Sequence, residues 1–520
     1  MVKEYEARTY VLTAAQGIQT PQSASSYGRD ASKGAPNENL IENIEKYTRD
    51  QKGDLRILCI AGSYVNEIEM DPFFQSKENI YMYKKTFARL QSQRDLEELR
   101  RELWEIAKEK AEFSERDFNR RCPEKFFWGG EIPDTEYPDI DKKLNRKVGI
   151  IGIPEPPQNR DPTSGNTDLT SHLEESVIFG SPKQRLKPVA KNMNGKYPRI
   201  IMTTGCCTHP NYNETNNRGN RAARDHQYGF TVVDVLGNEL YLPRLVPARK
   251  DGTFVDMGIK YSSGKDPEKV NTAAFVIGDP HIPNQDPKAI KATGEMIDDF
   301  QPKQIYIHDG FDSQEVNGHN ADDELINMWN YEEGISNLEK GVSLYRDFLI
   351  EIAERAPYAK IFDVASNHAD MIRRWLASGR YRNDRENARF AHKIMAKIKR
   401  NDWPLETAVK LIGDIPKNVK FLTLTSDYKP WGYQTSAHGH KGPNGARGSL
   451  KSLATAYGKV IIGHVHQLEV MGNAISVGTN AKIPMEYQKG QPSTSMHGNA
   501  VIYDGGLVQA LPIINGIWKK

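Results

Sequence analysis

The second half of this 520-residue chain carries histidines and aspartates at the spacing of a metal site. Ten of the thirteen histidines follow residue 271. In the stretch AAFVIGDPHIP, Asp279 and His281 stand two positions apart, directly after an apolar run that ends at Gly278. An Asp and a His on one short loop can bind the same cation, one through a carboxylate oxygen and the other through an imidazole nitrogen. One such pair is weak evidence, because Asp-x-His occurs often by chance.

Four further clusters of this kind follow, each at the end of an apolar run that is typical of a buried strand. In chain order the five clusters are VIGDPH (Asp279, His281), IYIHDGFD (Asp309, Asp312), IFDVASNHAD (Asn367, His368), TSAHGHKGPNG (His438) and VIIGHVH (His464, His466). In an open α/β sheet, ligands bind at the carboxyl ends of the strands, and this is where the five loops are expected to lie.

The segments between the clusters predict the elements that position them. KAIKATGEMIDDF, ISNLEKGVSLYRDFLIEIAERA and RENARFAHKIMAKIKR have the periodicity of helices. The last part of the chain predicts hairpins that turn at Gly472-Asn473 and Asp504-Gly505, which suggests a second sheet. Residues 271–520 are therefore expected to form an αββα layered sandwich.

The first half predicts a separate domain. Residues 1–38 are expected to be a polar N-terminal arm and residues 39–270 an α/β domain. Strands and helices alternate from about residue 40 to residue 205, which favours a parallel sheet, and a hairpin that turns at Gly237-Asn238 is expected after it. Within it, residues 81–119 predict an amphipathic surface helix. Gly180-Ser181-Pro182 predicts the start of a short helix. The whole chain is thus expected to be an α/β protein of two domains preceded by an arm.

Composition limits the possible classes of function. The chain carries a net charge of +2, so no global field attracts nucleic acid, and any basic patch must be local. Arg218, Arg221 and Arg224 form one such group, which could hold a polyanion or could be a solvated, ion-paired loop. Four cysteines without CxxC spacing disfavour a disulfide scaffold. We find no signal peptide or long apolar run, and expect a cytoplasmic protein that contacts no membrane.

The order of the five clusters resembles the motifs of the calcineurin-like metallophosphoesterases, which run D-x-H, GDxxD, GNH[DE], H and GHxH. The resemblance implies the following roles: Asp279, His281 and His466 hold one metal ion, Asn367, His438 and His464 hold another, Asp309 bridges the two, and His368, oriented by Asp312, lies near the scissile phosphate. The chain departs from the pattern where His308 and Ser366 replace glycines and where the acidic residue after the histidine is displaced to Asp370. His440 is an alternative to His438.

Such a site would hydrolyse a phosphoester. Two cations ~3.5–4 Å apart can clamp a phosphoryl oxygen and lower the pKa of a bridging water, so that hydroxide attacks phosphorus in line. His368 would then stabilise or protonate the leaving oxygen. Mixed His, Asp and Asn ligands favour Mn²⁺, with Mg²⁺, Fe²⁺ or Zn²⁺ as alternatives. Any single histidine could be an ordinary buried one, but five loops in the family's order disfavour that interpretation.

The substrate is expected to be DNA. Arg373 and Arg374 follow the His368 loop and Arg447 follows His438, where cationic side chains could hold a phosphate backbone. The segments HGHKGPNGARGSLKSL, SVIFGSPKQRL and TTGCCTHPNY are similar to large phage metallophosphoesterases of the first-step-transfer DNase type. That resemblance implies a homo-oligomeric DNase that degrades host DNA early in infection, in the host cytoplasm. A phosphatase or cyclic-nucleotide phosphodiesterase is the alternative, and a non-catalytic scaffold is disfavoured because every ligand is present.

Overall fold

The computed structural model describes residues 6–17, 33–60, 80–81, 143–152, 160–192, 197–212, 214, 216–318, 323–485 and 488–520. The amphipathic helix expected over residues 81–119 lies outside these ranges apart from its first residue. The described part of the chain is a mixed α/β protein built mainly on three sheets. None of its helices combines the length and the apolar composition that a membrane crossing would need.

The strands, in chain order, are β1 (Arg8–Gln16), β2 (Asp54–Ile60), β3 (Ile80–Tyr81), β4 (Val148–Ile150), β5 (Ser176–Phe179), β6 (Ser181–Val189), β7 (Lys191–Asn192), β8 (Arg199–Gly205), β9 (Gly229–Val235), β10 (Tyr241–Pro247), β11 (Phe254–Asp256), β12 (Ile259–Tyr261), β13 (Glu268–Lys269), β14 (Thr272–Ile277), β15 (Gln304–His308), β16 (Lys360–Val364), β17 (Val419–Phe421), β18 (Val460–Ile462), β19 (Glu469–Met471), β20 (Ala474–Ser476), β21 (Pro492–Ser493), β22 (Gly498–Tyr503) and β23 (Val508–Pro512). The helices are α1 (Glu38–Asp50), α2 (Leu169–His172), α3 (Asn217–Arg224), α4 (Pro287–Phe300), α5 (Glu324–Glu332), α6 (Leu338–Arg355), α7 (Ala369–Ser378), α8 (Ala388–Lys397), α9 (Pro404–Ile412) and α10 (Leu450–Tyr457).

A six-stranded sheet supports the loops that the sequence singles out. Its order is β17-β16-β15-β14-β22-β23, in which β14 to β17 are parallel and β22 and β23 are antiparallel. Side chains alternate between its faces, as they must in a strand. On β14, Phe275 and Ile277 pack with helices such as α4 and α6, whereas Ala274 and Val276 face the other way.

The opposite face of this sheet packs on a seven-stranded sheet, of order β18-β20-β19-β6-β8-β5-β4. Val276 and Tyr306 share a hydrophobic cluster with Met202 and Ile475 of that second sheet. The hairpin turn at Gly472-Asn473 is confirmed between β19 and β20, and the Asp504-Gly505 turn between β22 and β23. Helices thus pack on one face of the six-stranded sheet and the second sheet packs on its other face, while the complete αββα arrangement stays a prediction.

The second sheet joins residues from both sides of position 270. Strand β19 pairs with β6, with Val470 opposite Leu186 and Met471 opposite Arg185. The division into domains at residues 38 and 270 therefore stays a prediction, and one sheet continues across the second boundary.

Three local expectations are wrong. Residues Arg8–Gln16, expected in a polar arm, form β1, a central and almost wholly buried strand. The segment Ser181–Val189, expected to begin a helix, is strand β6, because it pairs along its length with β8. The first half is also not purely parallel, since β9 is antiparallel to β1 and β6 is antiparallel to β8. In each of these three cases pairing with a distant strand outweighs the local pattern. The antiparallel pairing of β9 with β10 is as expected, and it confirms the hairpin at Gly237-Asn238.

A buried polar network joins the five-stranded sheet (β10-β9-β1-β2-β3) to the six-stranded one. Arg244 is bonded to the carboxylate of Asp234, and its Nε and Nη2 donate to Asp256 at 2.8 and 3.0 Å. Tyr47 donates to Asp256 at 2.6 Å, and Gln509 on β23 donates to the same carboxylate at 2.7 Å. One arginine is therefore the shared cationic partner of two buried carboxylates at this junction.

Replacing Arg244 with methionine is expected to lower the free energy of unfolding by about 3–5 kcal/mol, because Asp234 and Asp256 would be left charged and buried. The measurement is urea unfolding followed by fluorescence. Arg355→Met, which removes an exposed ion pair with Asp298, is the control and should cost less than ~1 kcal/mol. Similar small losses in both variants would contradict a stabilising role for the network.

Candidate metal centre

Four strand ends bring the predicted ligands together. The parallel strands β14, β15 and β16 end at one edge of the six-stranded sheet, and β18 ends beside it in the second sheet. The backbone is unusual at this edge: φ is positive at His281 (49°), Asp309 (44°), His464 (71°) and His466 (55°). Non-glycine residues adopt such angles at a cost, and they are concentrated at functional sites.

The first group of ligand atoms comes from Asp279, His281 and His466, all of which are buried. The Nε2 atoms of the two histidines lie 2.9 Å apart, and His466 Nε2 lies 3.3 Å from Asp279 Oδ2. Asp279 Oδ1 is buried without a hydrogen-bond partner. An unpaired buried carboxylate oxygen beside two converging imidazoles fits a divalent cation.

Asp309 occupies the middle of the cluster. Its Oδ2 atom lies 3.4 Å from His438 Nε2, 3.7 Å from His281 Nε2 and 4.0 Å from His368 Nε2. Its other oxygen, Oδ1, and the Nε2 of His438 are both buried with no hydrogen-bond partner. Asp309 belongs to two of the three groups of described side chains that could hold a metal ion.

Asn367 and His464 complete the set that the sequence predicts. Asn367 Oδ1 lies 3.0 Å from His464 Nδ1, and the rings of His464 and His438 have centroids 5.4 Å apart. The backbone N–H of His464 also donates to Asp279 Oδ2 at 2.7 Å. All seven predicted metal ligands therefore lie in one contiguous cluster, and the buried aspartates and histidines in it could hold metal ions.

His368 and Asp312 form a pair beside this cluster. His368 precedes α7, and its Nδ1 lies 2.6 Å from Asp312 Oδ1. Burial alone would lower the pKa of the His368 imidazole, but the carboxylates of Asp309 and Asp312 raise this pKa to about 10. The imidazole is therefore protonated at neutral pH in this arrangement, with Nδ1 held by Asp312 and Nε2 facing Asp309.

Most of the other ionisable groups with a shifted pKa are in the state that binds cations. His281 is the exception: burial acts to lower its pKa, but the carboxylates of Asp309 and Asp312 raise it above the usual value. Burial lowers the pKa of His464 to about 4, and those of His308 and His440 to about 3, so these imidazoles are neutral at pH 7. Burial acts to raise the pKa of Asp279 and Asp309, but the surrounding imidazoles hold both carboxyl pKa values below their usual range. Neutral imidazoles and ionised carboxylates are metal ligands that need lose no proton on binding.

Several supporting residues have no signal in the motifs. Asn284 donates through Nδ2 to Asp312 Oδ2 at 2.6 Å, and so helps to hold the partner of His368. Tyr345 donates to Asp363 and lies so close to Gly310, next to Asp309, that a β-carbon at Gly310 would clash with the tyrosine hydroxyl. These contacts join residues far apart in sequence, which single-chain patterns do not reveal.

Two histidines noted in the sequence also have defined places. His308 stacks on His438, with ring centroids 5.7 Å apart and the Nδ1 atoms 3.4 Å apart. His308 therefore packs against the ring of His438. The calcineurin-like motif has glycine at the position of His308. His440 lies beside His438 and His464, with ring centroids 5.6 and 6.1 Å away. His438 is the one of the pair within 4 Å of Asp309.

The predicted substrate-binding arginines differ in their surroundings. Arg373 and Arg374 both pair with the buried Asp370, through Nε atoms 2.5 and 2.8 Å from its carboxylate oxygens. Arg447 is exposed, and no ion pair involves it within the described part of the chain. The structure thus leaves the full charge of Arg447 available, whereas Asp370 offsets part of the charge of the other two.

The chain is similar to Protein A1 of Escherichia phage T5, with 26% identity over 375 residues. The alignment covers 68% of this chain and 66% of the phage protein, so the similarity extends over about two thirds of its length. No family model matches the chain, and no solved structure matches it. The similarity indicates a relationship to a phage protein.

Proposed function

We propose that the protein is a two-metal phosphodiesterase of the calcineurin-like type that hydrolyses DNA. The observation that supports this best is the position of Asp309, whose carboxylate faces imidazole nitrogens of His281, His368 and His438 within 4.0 Å. A shared carboxylate between two groups of ligands is what two neighbouring cations require. The alternative of a scaffold without catalysis is disfavoured, since the buried unpaired atoms of the cluster cost stability unless they bind something.

The donor set fits the metals expected from the sequence. Asp279, His281 and His466 would hold one ion, Asn367, His438 and His464 the other, and Asp309 both. Imidazole and carboxylate donors together suit Mn²⁺, Fe²⁺ or Zn²⁺, with Mg²⁺ a poorer match because it prefers oxygen ligands. When bound, two such ions would supply electrostatic stabilisation of the phosphoryl oxygens and an activated nucleophile at neutral pH.

Residues of the protein itself would donate a proton to the leaving group and hold the donor in place. Asp312 holds Nδ1 of His368, so in the protonated imidazole the Nε2–H would be available to donate to the oxygen that leaves phosphorus. Asp312 and Asn284 hold the ring in place and do not themselves reach the substrate in this scheme. Asp312 is accordingly a positioning residue and His368 the catalytic acid.

DNA is the proposed substrate because exposed arginines flank two of the site loops and because the chain is similar to a phage protein. Arg447, Arg373 and Arg374 would hold phosphates on either side of the scissile bond. In this proposal the enzyme acts on host DNA in the cytoplasm of an infected bacterium and forms a homo-oligomer.

One panel of assays tests the function. Plasmid DNA, single-stranded DNA, RNA, and small mono- and diester reporters are each incubated with Mn²⁺ and with a chelator. We expect both DNA substrates to be cleaved with Mn²⁺ and to survive with the chelator. Hydrolysis confined to the small reporters would favour the phosphatase or cyclic-nucleotide phosphodiesterase alternative, and no hydrolysis of any substrate would contradict the proposal.

Neutralising Arg447 is expected to weaken DNA cleavage more than neutralising Arg373, because Arg373 shares its charge with Asp370. In Arg447→Gln, the plot of log KM for DNA against log salt should lose roughly 0.7–0.9 of its slope, the value of one phosphate contact. Cleavage of a small diester should be unchanged. Arg400→Gln, at another exposed arginine, is the control, and an equal effect there would point to net charge alone.

A further inference from the structure

A cavity of about 860 Å³ lies apart from the metal-ligand cluster. Its walls come from both halves of the chain. The first half contributes residues 160–162, 183–185, 221 and 224–228, and the second half contributes residues 449–451 and 469–473 among others. None of the seven predicted metal ligands, all of which the structure describes, lines it. Its volume is within the range of about 300–1,000 Å³ that is usual for ligand sites.

The lining of this cavity is rich in positive charge. The cationic residues are Arg160, Lys183, Arg185, Arg221, Arg224 and Lys451, and the anionic residues are Asp161, Asp225 and Glu469. Three cations are paired: Lys183 and Arg224 with Asp225 at 3.1 Å, and Arg185 with Asp161 at 2.8 Å and with Glu469 at 3.0 Å. For Arg160, Arg221 and Lys451, no ion pair occurs within the described residues, so the cavity keeps an excess of positive charge.

The wall that carries Arg221 and Arg224 is held firmly. Asn216 caps α3 by accepting from the N–H groups of Arg218 and Gly219 at 3.0 and 2.9 Å. The next wall residue, His226, is bonded on both ring nitrogens, to the Tyr212 hydroxyl at 2.9 Å and the Thr208 carbonyl at 3.1 Å. The arginines therefore project from a fixed surface.

The cavity also presents an aromatic side chain. Tyr228 lines it, is partly exposed, and has its hydroxyl bonded to His209 Nδ1 at 2.8 Å. A ring fixed in this way can stack on a nucleobase, which is a contact that proteins use for unpaired strands.

We propose that this cavity binds the phosphodiester backbone of single-stranded DNA at a second site, separate from the metal centre. The unpaired cations Arg160, Arg221 and Lys451 come from three different segments of the wall, and the cavity is far larger than one phosphate ion. That distribution fits successive phosphates along a strand. Lys451, in α10, also stands four residues after Arg447, one of the arginines proposed to bind DNA. The proposal goes beyond the proposed function, because binding here does not require hydrolysis.

The test is binding of a labelled single-stranded oligonucleotide to the full chain, measured by fluorescence anisotropy in chelator at several salt concentrations. The variant Arg221→Glu/Lys451→Glu should bind about tenfold more weakly, and its log Kd against log salt should lose roughly 1.4 of its slope, as two lost contacts to a single strand predict. The control, Arg400→Glu/Lys417→Glu, changes two exposed cations that do not line the cavity and makes the same change in net charge.

The outcomes separate the possibilities. A higher Kd for the oligonucleotide in the cavity variant alone supports the site. The Kd of the milder variant Arg221→Gln/Lys451→Gln should then lie between the values of the glutamate variant and wild type. An equal loss of affinity in the cavity variant and in the control variant, or no loss in either, would overturn the proposal. Displacement of the oligonucleotide by an equal concentration of inorganic phosphate would assign the cavity to a small anion instead and would also overturn it. Absence of cleavage with Mn²⁺ would contradict the proposed function, and the binding results in chelator would still decide this proposal.

Discussion

Asp309→Ala is expected to abolish phosphodiester hydrolysis and to remove bound metal from both positions of the cluster. Asp309 lies within 4.0 Å of imidazole nitrogens on both sides of the cluster, so its loss removes a shared anionic ligand. Without that charge, two cations held close together would repel each other with little compensation. Metal content per chain, measured by plasma mass spectrometry after dialysis against Mn²⁺, is the primary readout, with hydrolysis of a small diester as the second.

Matched variants separate this effect from a general loss of structure. Asp309→Asn keeps the shape of the side chain and should also lose metal, whereas Asp414→Ala removes an exposed carboxylate and should leave both readouts unchanged. Mn²⁺ should raise the thermal midpoint of wild type and of Asp414→Ala, since a ligand that binds only the folded state stabilises it. Two retained equivalents of Mn²⁺ in Asp309→Ala would refute the bridging assignment.

His368→Ala has the second largest expected effect, a fall in kcat of ~10²–10⁴-fold with metal content unchanged. The reason is that His368 carries a proton toward the cluster while Asp312 holds its other nitrogen. Single-turnover kinetics on a small diester measures the chemical step directly. Asp312→Asn should cause a smaller decrease, because it disturbs the orientation of the ring and leaves the acid present.

The control for His368 is His392→Ala, at an exposed histidine of α8, which should behave as wild type. His368 also belongs to one of the three groups that could hold a metal, together with His281 and Asp309. Loss of metal in His368→Ala would therefore make it a ligand, and unchanged turnover would remove it from the mechanism. Either result would contradict the proposed role of His368 as the catalytic acid.

Much of the candidate site was predictable because its residues follow strands that local patterns reveal. His438 is the exception: it was expected at the end of a strand, but it lies between β17 and β18 and does not directly follow a strand end. An apolar run ended by Gly278 predicts β14 and places Asp279 at its end, and the same logic locates Asp309 after β15. The structure brings these residues together as the order of motifs suggests, within distances of a few ångströms. Because neighbouring parallel strands end at the same edge of a sheet, the loops that follow them lie close together.

The rest of the fold could not be predicted in this way, because it depends on pairing between distant segments. Strand β1 owes its place to β2 and β9, and β6 to β8 and β19, partners that begin up to 288 residues away. The same limit hides Asn284, whose contact with Asp312 forms only once two loops meet. Arg373 illustrates a local signal that was missed: it pairs with Asp370 three residues earlier on the same helix, a spacing at which ion pairs form.

The position of β22 has a consequence for when the cluster can form. Strand β14, which ends at Asp279, is flanked by β15 on one side and by β22 on the other, and Asn499 of β22 accepts a hydrogen bond from Gly278 N–H at 3.0 Å. A chain still on the ribosome has every predicted metal ligand long before it has residues 498–503. At that stage β14 has one edge without a partner strand, and the loop that carries Asp279 lacks the hydrogen bond between Gly278 and Asn499. We therefore expect the nascent polypeptide to assemble the cluster only after residues 498–503 have emerged.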